Sequence, residues 1–214
     1  MSTRPKRQKK RSYVSAQRDA SAQKTREQVL AAARRLYSAR PIETVTIAAV
    51  AKAARVSPST IYATFVSRDG ILQALMEQTL FGPHYAAATA RLDGETDPVR
   101  LIARSAGVAR VIYDGESREL GRMREIAAGS ATLRAVERDF ENRRYTLQED
   151  RVTRLFEAGK ARPGLDVERA RRILWMYTSR DVYRMLVTEG GWTPAAYESW
   201  LTDTLRQALV APRA

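Results

Sequence analysis

Residues 46–72 read Thr46-Ile47-Ala48-Ala49-Val50-Ala51-Lys52-Ala53-Ala54-Arg55-Val56-Ser57-Pro58-Ser59-Thr60-Ile61-Tyr62-Ala63-Thr64-Phe65-Val66-Ser67-Arg68-Asp69-Gly70-Ile71-Leu72. Thr46 has N-cap chemistry and precedes a helical apolar period at Ile47, Val50, Ala51 and Ala54. Ser57-Pro58 then starts a second short helix, with Ser57 as N-cap and Pro58 at the first helical position, where no backbone N–H is needed. Two short helices joined by a tight turn predict a helix-turn-helix. The small residues Val50, Ala51 and Ala54 allow a close crossing, Val56 fills the space under the turn, and Ile61 and Phe65 face inward. That leaves Ser59, Thr60, Tyr62, Ala63 and Thr64 outward. Short polar side chains with one aromatic suit base edges, thymine methyls and phosphates in a major groove.

Upstream, Thr25 and Gln28 have capping-box spacing, which predicts a helix from about Thr25. Its apolar face is Val29, Leu30, Ala33, Leu36 and Tyr37, and Pro41 ends it. Before it, Arg4-Pro5-Lys6-Arg7-Gln8-Lys9-Lys10-Arg11 carries six basic residues, no acid and no hydrophobic period. It is expected to form a flexible arm (residues 1–20) that either enters a minor groove through Arg4, Arg7 and Arg11 or serves as a solubility tail or polyanion tether. Downstream, Ser67 caps a fourth helix with Ile71, Leu72, Leu75, Met76 and Leu80 on its apolar face.

Charge follows the same division. The chain has a net charge of +13, and residues 1–80 hold 15 Lys/Arg against 5 Asp/Glu. The remaining residues hold 22 basic against 19 acidic groups. A basic first third on a near-neutral remainder points to a polyanion-binding module joined to something else.

The run Val29-Leu30-Ala31-Ala32-Ala33-Arg34-Arg35-Leu36-Tyr37, followed by residues 46–57 and 60–72 as quoted, resembles the N-terminal domain of the tetracycline-repressor (TetR) family over residues 25–80. The resemblance implies an all-α protein in which a three-helix DNA-binding domain precedes a helical dimerisation and effector domain. It implies that helix 57–65 is the recognition helix, with Tyr62 against the DNA backbone or a thymine methyl, and Thr60 and Thr64 at base or phosphate contacts. It also implies that Arg68 clamps a phosphate, and that Thr46 offers its hydroxyl and nearby N–H groups to another. With Arg55, Ser57, Pro58, Ser59 and Ala63, these are the candidate DNA contacts.

Three departures from the family pattern matter. Pro41 replaces the usual glycine after the first helix, so that helix must end in a different turn. Arg55 replaces the glycine of the helix-helix turn; a left-handed residue there costs roughly 1 kcal/mol, unless the side chain is recruited to a phosphate. Ser59 and Thr64 replace the common glycine and histidine.

Gly82-Pro83 and Asp93-Gly94 are read as breakers between the head (21–80) and the rest (81–214). Helices are expected near 98–113, 117–128, 131–158, 166–188 and 194–210, and no segment alternates as a strand would. The segment 159–166 resembles the turn before the family's last two helices, which implies a homodimer through 166–188 and 194–210. Leu174, Tyr177, Leu186, Trp200, Leu201, Leu205 and Leu209 are core or interface positions. Tyr113, Met123, Tyr145, Trp175, Met176 and Tyr183 either line an effector pocket or belong to an ordinary core. Arg143-Arg144 and Arg171-Arg172 read as solvated helix faces, and His84 as a solvated or capping residue.

The chain has no cysteine and one histidine, so a thiolate nucleophile, a disulfide and a multi-histidine metal cluster are excluded. No catalytic constellation can be assembled, and neither cofactor nor metal is expected. No apolar run has membrane-spanning length and no signal-peptide core follows the basic start, so a cytoplasmic protein is expected. The leading expectation is a ligand-responsive homodimeric repressor of a double-stranded operator. The alternatives are a DNA-binding regulator without a small-molecule effector, either controlled by a protein partner or acting as an activator, and a helical small-molecule carrier or enzyme.

Overall fold

A computed structural model of the protein describes residues 6–114, 121, 124 and 129–212; side chains are described from residue 17, except those of residues 18 and 42. The chain is all-α. Among the described residues there is no strand, and one isolated antiparallel bridge joins Ala161 to Val210. Two compact units form, Met1–Met76 with Arg118–Leu133, and Glu77–Ser117 with Arg134–Ala214.

In the first unit, α1 (Lys6–Ala39) precedes a 3₁₀ turn (Ile42–Thr44), then α2 (Ile47–Ala54), α3 (Pro58–Phe65) and α4 (Arg68–Phe81), whose last turn passes the division. The first helix begins at Lys6 rather than at Thr25. No Gly or Pro lies between Lys6 and Thr25, and Thr25 Oγ1 donates back to the Ser21 carbonyl at 2.9 Å instead of capping. Residues 6–20, expected as an arm without structure, are therefore helical. Arg4 lies outside the described residues, as do the side chains of Arg7 and Arg11. The expected apolar face is inside, with Val29, Leu30, Ala33 and Tyr37 buried and Leu36 half-buried. Burial pushes the Tyr37 hydroxyl pKa up to about 12, with Arg68 opposing the rise. Pro41 does end α1 in a different turn, because its carbonyl accepts from both the Thr44 N–H (3.0 Å) and Thr44 Oγ1 (2.7 Å).

In the second unit, the expected break at Gly82-Pro83 separates α4 from α5 (Pro83–Thr89), with Gly82 as N-cap and Pro83 at the first helical position, and a 3₁₀ turn (Ala90–Leu92) follows. Next come α6 (Pro98–Asp114), α7 (Ala131–Leu147), α8 (Glu149–Glu157), α9 (Val167–Tyr177), α10 (Arg180–Tyr183), a π-helical segment (Arg184–Glu189) and α11 (Pro194–Leu209). The helix expected at 117–128 lies outside the described residues. The core joins Ile102, Ala106, Ala109 and Tyr113 of α6 to Val152 and Leu155, Ala170 and Leu174, and Tyr197, Leu201, Leu205 and Leu209. Helix α11 comes close to α6 at Gly107, where a Cβ would stand 2.8 Å from Glu198 Oε1; Arg110 Nη1 meets Glu198 Oε2 at 2.7 Å.

The expected helices 131–158 and 166–188 are both interrupted, the first at Gln148 and the second after Tyr177. Arg144 accounts for the second break. Its guanidinium donates to the carbonyls of Trp175 (3.0 Å) and Thr178 (3.0 Å) and to Thr178 Oγ1 (2.9 Å), while Glu141 pairs with it at 2.8 Å. In a continuous helix those two carbonyls would accept from the N–H groups of Ser179 and Val182. Ser179 N–H instead donates to Met176 O, and Val182 N–H to Ser179 Oγ, so Ser179 caps a new helix from an extended backbone. Arg144 is therefore a buried structural group, contrary to the solvated face expected from sequence, whereas Arg143 is exposed and paired with Asp139.

Candidate nucleic-acid interface and effector cavity

Helix α3 is built by local chemistry. Ser57 Oγ accepts from the Thr60 N–H at 3.1 Å and lies 2.7 Å from Ser59 Oγ and 2.8 Å from Thr60 Oγ1. Thr64 Oγ1 donates to the Thr60 carbonyl at 2.8 Å. Ile61 and Phe65 are buried, and Arg26 of α1 lies over the Phe65 ring, 4.8 Å from its centroid. The opposite face is open: Ser57, Pro58, Ser59 and Ala63 are exposed, Thr60 and Thr64 are half-buried, and Tyr62 is 54% exposed. An exposed tyrosine between hydroxyl-bearing neighbours has no packing reason to be there, and its ring and hydroxyl are available to a partner.

Both ends of this helix carry left-handed backbone. Arg55 has φ 55° and ψ 41°, so the turn keeps the left-handed residue for which glycine is usual. Its N–H donates to the α2 carbonyls and its side chain is exposed. Val66 has φ 65° and ψ −42°, and the Ser67 N–H closes onto Phe65 O at 2.7 Å. That is a γ-turn at an exposed β-branched residue, a conformation sequence reasoning did not foresee. The same carbonyl leaves room for glycine alone at Gly70, where a Cβ would stand 1.9 Å from it. Backbone strain thus collects on either side of the outward helix.

Thr46 caps α2 through its hydroxyl, which accepts from Ala49 N–H at 3.1 Å, and it is exposed. Arg68 begins α4, and its Nη1 reaches the Glu43 carbonyl at 3.4 Å, which ties it to the 3₁₀ turn just before Thr46. The structure so brings Thr46, Arg55, α3 and Arg68 into one unit with their polar groups unburied. They offer hydroxyls, a phenol, guanidinium groups and helix N-termini, the donor set that phosphates and base edges accept.

The second unit holds a small, partly open cavity with about 20 Å³ accessible to a water-sized group. Val108, Ala109, Ile112 and Tyr113 of α6 form one wall and Tyr85 and Thr89 of α5 another. Arg144, Leu147 and Gln148 of α7 and its turn, Arg151 of α8, Ser105 and Thr178 complete it. Burial raises the pKa of Tyr85 and lowers that of Arg151. Gln148 Nε2 donates to Thr178 Oγ1 at 2.9 Å, and its buried Oε1 has no partner among the described residues.

Of the residues expected at an effector pocket, Tyr113 lines this cavity, while Tyr145, Trp175 and Met176 do not. Tyr145 lies between the guanidinium groups of Arg171 and Arg172 and donates to Glu168 at 2.8 Å. Trp175 engages Arg144 through its carbonyl, and Met176 is 47% exposed. Met123 lies outside the described residues. Tyr183 stacks among Tyr113 and Tyr197 in the core. His84 is exposed, with a ring nitrogen on the Val111 carbonyl. Sequence reasoning missed Tyr85, Arg151 and Gln148, because residues so far apart in sequence meet only in the folded unit.

No helix among the described residues is long and apolar enough to cross a membrane, and no group of three metal-binding side chains occurs there. The model of bacterial regulatory proteins of the tetR family matches residues 29–75. Solved structures share the fold over nearly the whole chain. A transcriptional regulator from Saccharomonospora viridis, in complex with choline, superposes with a TM-score of 0.68 at 18% identity, covering 89% of this chain and 100% of that one. NalD of Pseudomonas aeruginosa, the secondary repressor of the MexAB-OprM multidrug efflux pump, gives 0.64 at 19%, covering 88% and 98%. FadR of Bacillus subtilis, in complex with stearoyl-CoA, gives 0.65 at 17%, covering 84% and 96%. No curated protein sequence matches.

Proposed function

We propose that this chain, a DNA-binding regulator with the N-terminal domain of the tetR family, is a ligand-responsive homodimeric repressor of a roughly palindromic operator. The observation that carries the DNA reading is the open face of α3, with Tyr62 exposed beside capped hydroxyls and between two strained turns. Thr46, Arg55, Ser57, Pro58, Ser59, Thr60, Tyr62, Ala63, Thr64 and Arg68 contact the duplex in this reading, and Arg4, Arg7 and Arg11 add charge from residues 1–20. The head is residues 21–80 and the effector and dimerisation domain 81–214. A protein that works on DNA in a bacterial cell is cytoplasmic.

A dimer through 166–188 and 194–210 is supported by apolar side chains left exposed in and beside those segments: Val167, Met176, Met185 and Trp192. Leu174, Leu201, Leu205 and Leu209 belong to the protomer's own core, whereas Tyr177, Leu186 and Trp200 are half-buried. Two-fold symmetry would set the recognition helices one turn of duplex, ~34 Å, apart. Solved structures of the same fold in complex with choline and with stearoyl-CoA support a small-molecule switch, placed here in the second unit, over control by a protein partner alone. An effector seated there would change the spacing of the recognition helices by binding one state better than the other. Sedimentation should give about twice the 24.1 kDa chain mass at micromolar concentration. A monomer under those conditions would remove both the dimer and the palindrome.

A further inference from the structure

Three guanidinium groups border α3 without a carboxylate partner. Arg55 stands in the turn before it, Arg68 starts the helix after it, and Arg26 of α1 lies over its last side chain, Phe65. None of the three forms an ion pair among the described residues. The second unit treats its arginines differently: Arg110 pairs with Glu198, Arg143 with Asp139, Arg144 with Glu141, Arg154 with Asp150 and Arg171 with Glu149. Arg55 and Arg68 already belong to the duplex reading of α3. Arg26 does not.

Its placement follows from the pattern of α1. Val29, Leu30, Ala33 and Tyr37 form the buried stripe of that helix, and Arg26 continues the stripe one turn earlier, four residues before Leu30. There the stripe changes from apolar to cationic. Arg26 is half-buried, with its guanidinium carbon 4.8 Å from the centroid of the Phe65 ring. The positions three and four residues away on either side are Ala22, Gln23, Val29 and Leu30, so α1 offers it no acid. No hydrogen bond engages its five N–H donors among the described residues. An aliphatic side chain would cover Phe65 as well; an arginine adds a charge, and the ring restricts it before any partner arrives. Phe65 follows Thr64 and precedes Arg68 by three residues, which places Arg26 at the C-terminal end of α3, where α4 starts.

We propose that Arg26 is a further DNA contact, a guanidinium that takes a backbone phosphate at the C-terminal end of α3 while the Phe65 ring holds it in place. The proposal rests on the DNA reading of α3 but needs neither the operator nor an effector, because a phosphate contact is independent of sequence. Titration of the full chain against a duplex of random sequence, by fluorescence anisotropy at several salt concentrations, compares the wild type with Arg26→Met and Arg26→Lys. Methionine keeps an unbranched apolar chain over Phe65 and removes the charge; lysine keeps the charge. Arg26→Met should weaken binding about fivefold or more at ~0.1 M salt and flatten the slope of log K against log salt by ~0.9 per lost contact. Arg26→Lys should keep the wild-type slope and lose less affinity than Arg26→Met.

A slope unchanged in Arg26→Met would overturn the proposal, and a loss of affinity at unchanged slope would mark a residue that acts on α3 through Phe65 alone. A slope flattened as much by Arg26→Lys as by Arg26→Met would overturn it too, because the charge would then not be what the duplex reads. If Arg26→Met fails to fold by circular dichroism, Arg26→Gln carries the same comparison, and failure of both to fold would make Arg26 a structural group and overturn the contact. A wild type that binds no duplex removes the DNA reading together with this contact. A wild type that binds, beside an Arg26→Met protein of equal slope, removes the contact alone.

Discussion

At the scale of single residues, the head concentrates conformational strain on either side of α3, at Arg55 and Val66. Arg55 holds a left-handed conformation that costs an L-residue ~1–2 kcal/mol, while glycine adds unfolded-state entropy that offsets part of any relief. Arg55→Gly should therefore raise stability by about 0.5–1 kcal/mol in urea unfolding. If the guanidinium meets a phosphate, the same variant binds the operator more weakly and with a shallower salt dependence; a loss of stability would contradict the strain account. Tyr62 and Arg68 give the complementary test. Tyr62 is over half exposed and Arg68 makes one long bond to Glu43 O, so neither carries the fold. Tyr62→Ala and Arg68→Ala should each weaken operator binding by about 1–3 kcal/mol in titrations by fluorescence anisotropy, with helicity unchanged. Wild-type affinity in both would show that α3 is not the reading helix.

At the scale of elements, local signals and distant ones diverge. The caps at Thr46 and Ser57-Pro58 act within three residues, and the structure starts α2 and α3 where that chemistry put them. The break between α9 and α10 depends on Arg144, 31 to 34 residues away, and no local period registers it. Arg144→Ala would leave the Trp175 and Thr178 carbonyls without their donor and Glu141 without its partner. The expected loss is about 3–5 kcal/mol in urea unfolding, and a loss under about 1 kcal/mol would mean that the break stands without Arg144. The same limit explains why the cavity of the second unit was only partly legible. Tyr113 stands out in the sequence as an aromatic of the C-terminal part, but Tyr85, Gln148 and Arg151 carry no pattern that ties them together. Helix α1 erred in the other direction, because a capping-box spacing at Thr25 and Gln28 occurs inside a longer helix that nothing interrupts. Its basic start offers a further test. Deleting residues 1–11 should flatten the slope of log K against log salt by ~0.9 per lost phosphate contact and weaken operator and random DNA by similar factors. Loss confined to operators with A·T-rich flanks would instead mark a minor-groove reader.

At the scale of the whole molecule, one chain joins two chemistries. Residues 1–80 carry most of the net positive charge, suited to a polyanion. The second unit is a helical body around a small cavity lined from α5, α6, α7 and α8. Any ligand response presupposes DNA binding, so the central claim is that the head reads a specific duplex. Selection of bound fragments from sheared genomic DNA tests it most directly, with the Tyr62→Ala protein run beside the wild type. The account predicts enrichment of a roughly palindromic site with half-sites about 10 base pairs apart, and its disappearance with Tyr62→Ala. Recovery of fragments without a common sequence, or an enriched site that the variant retains in full, would contradict it.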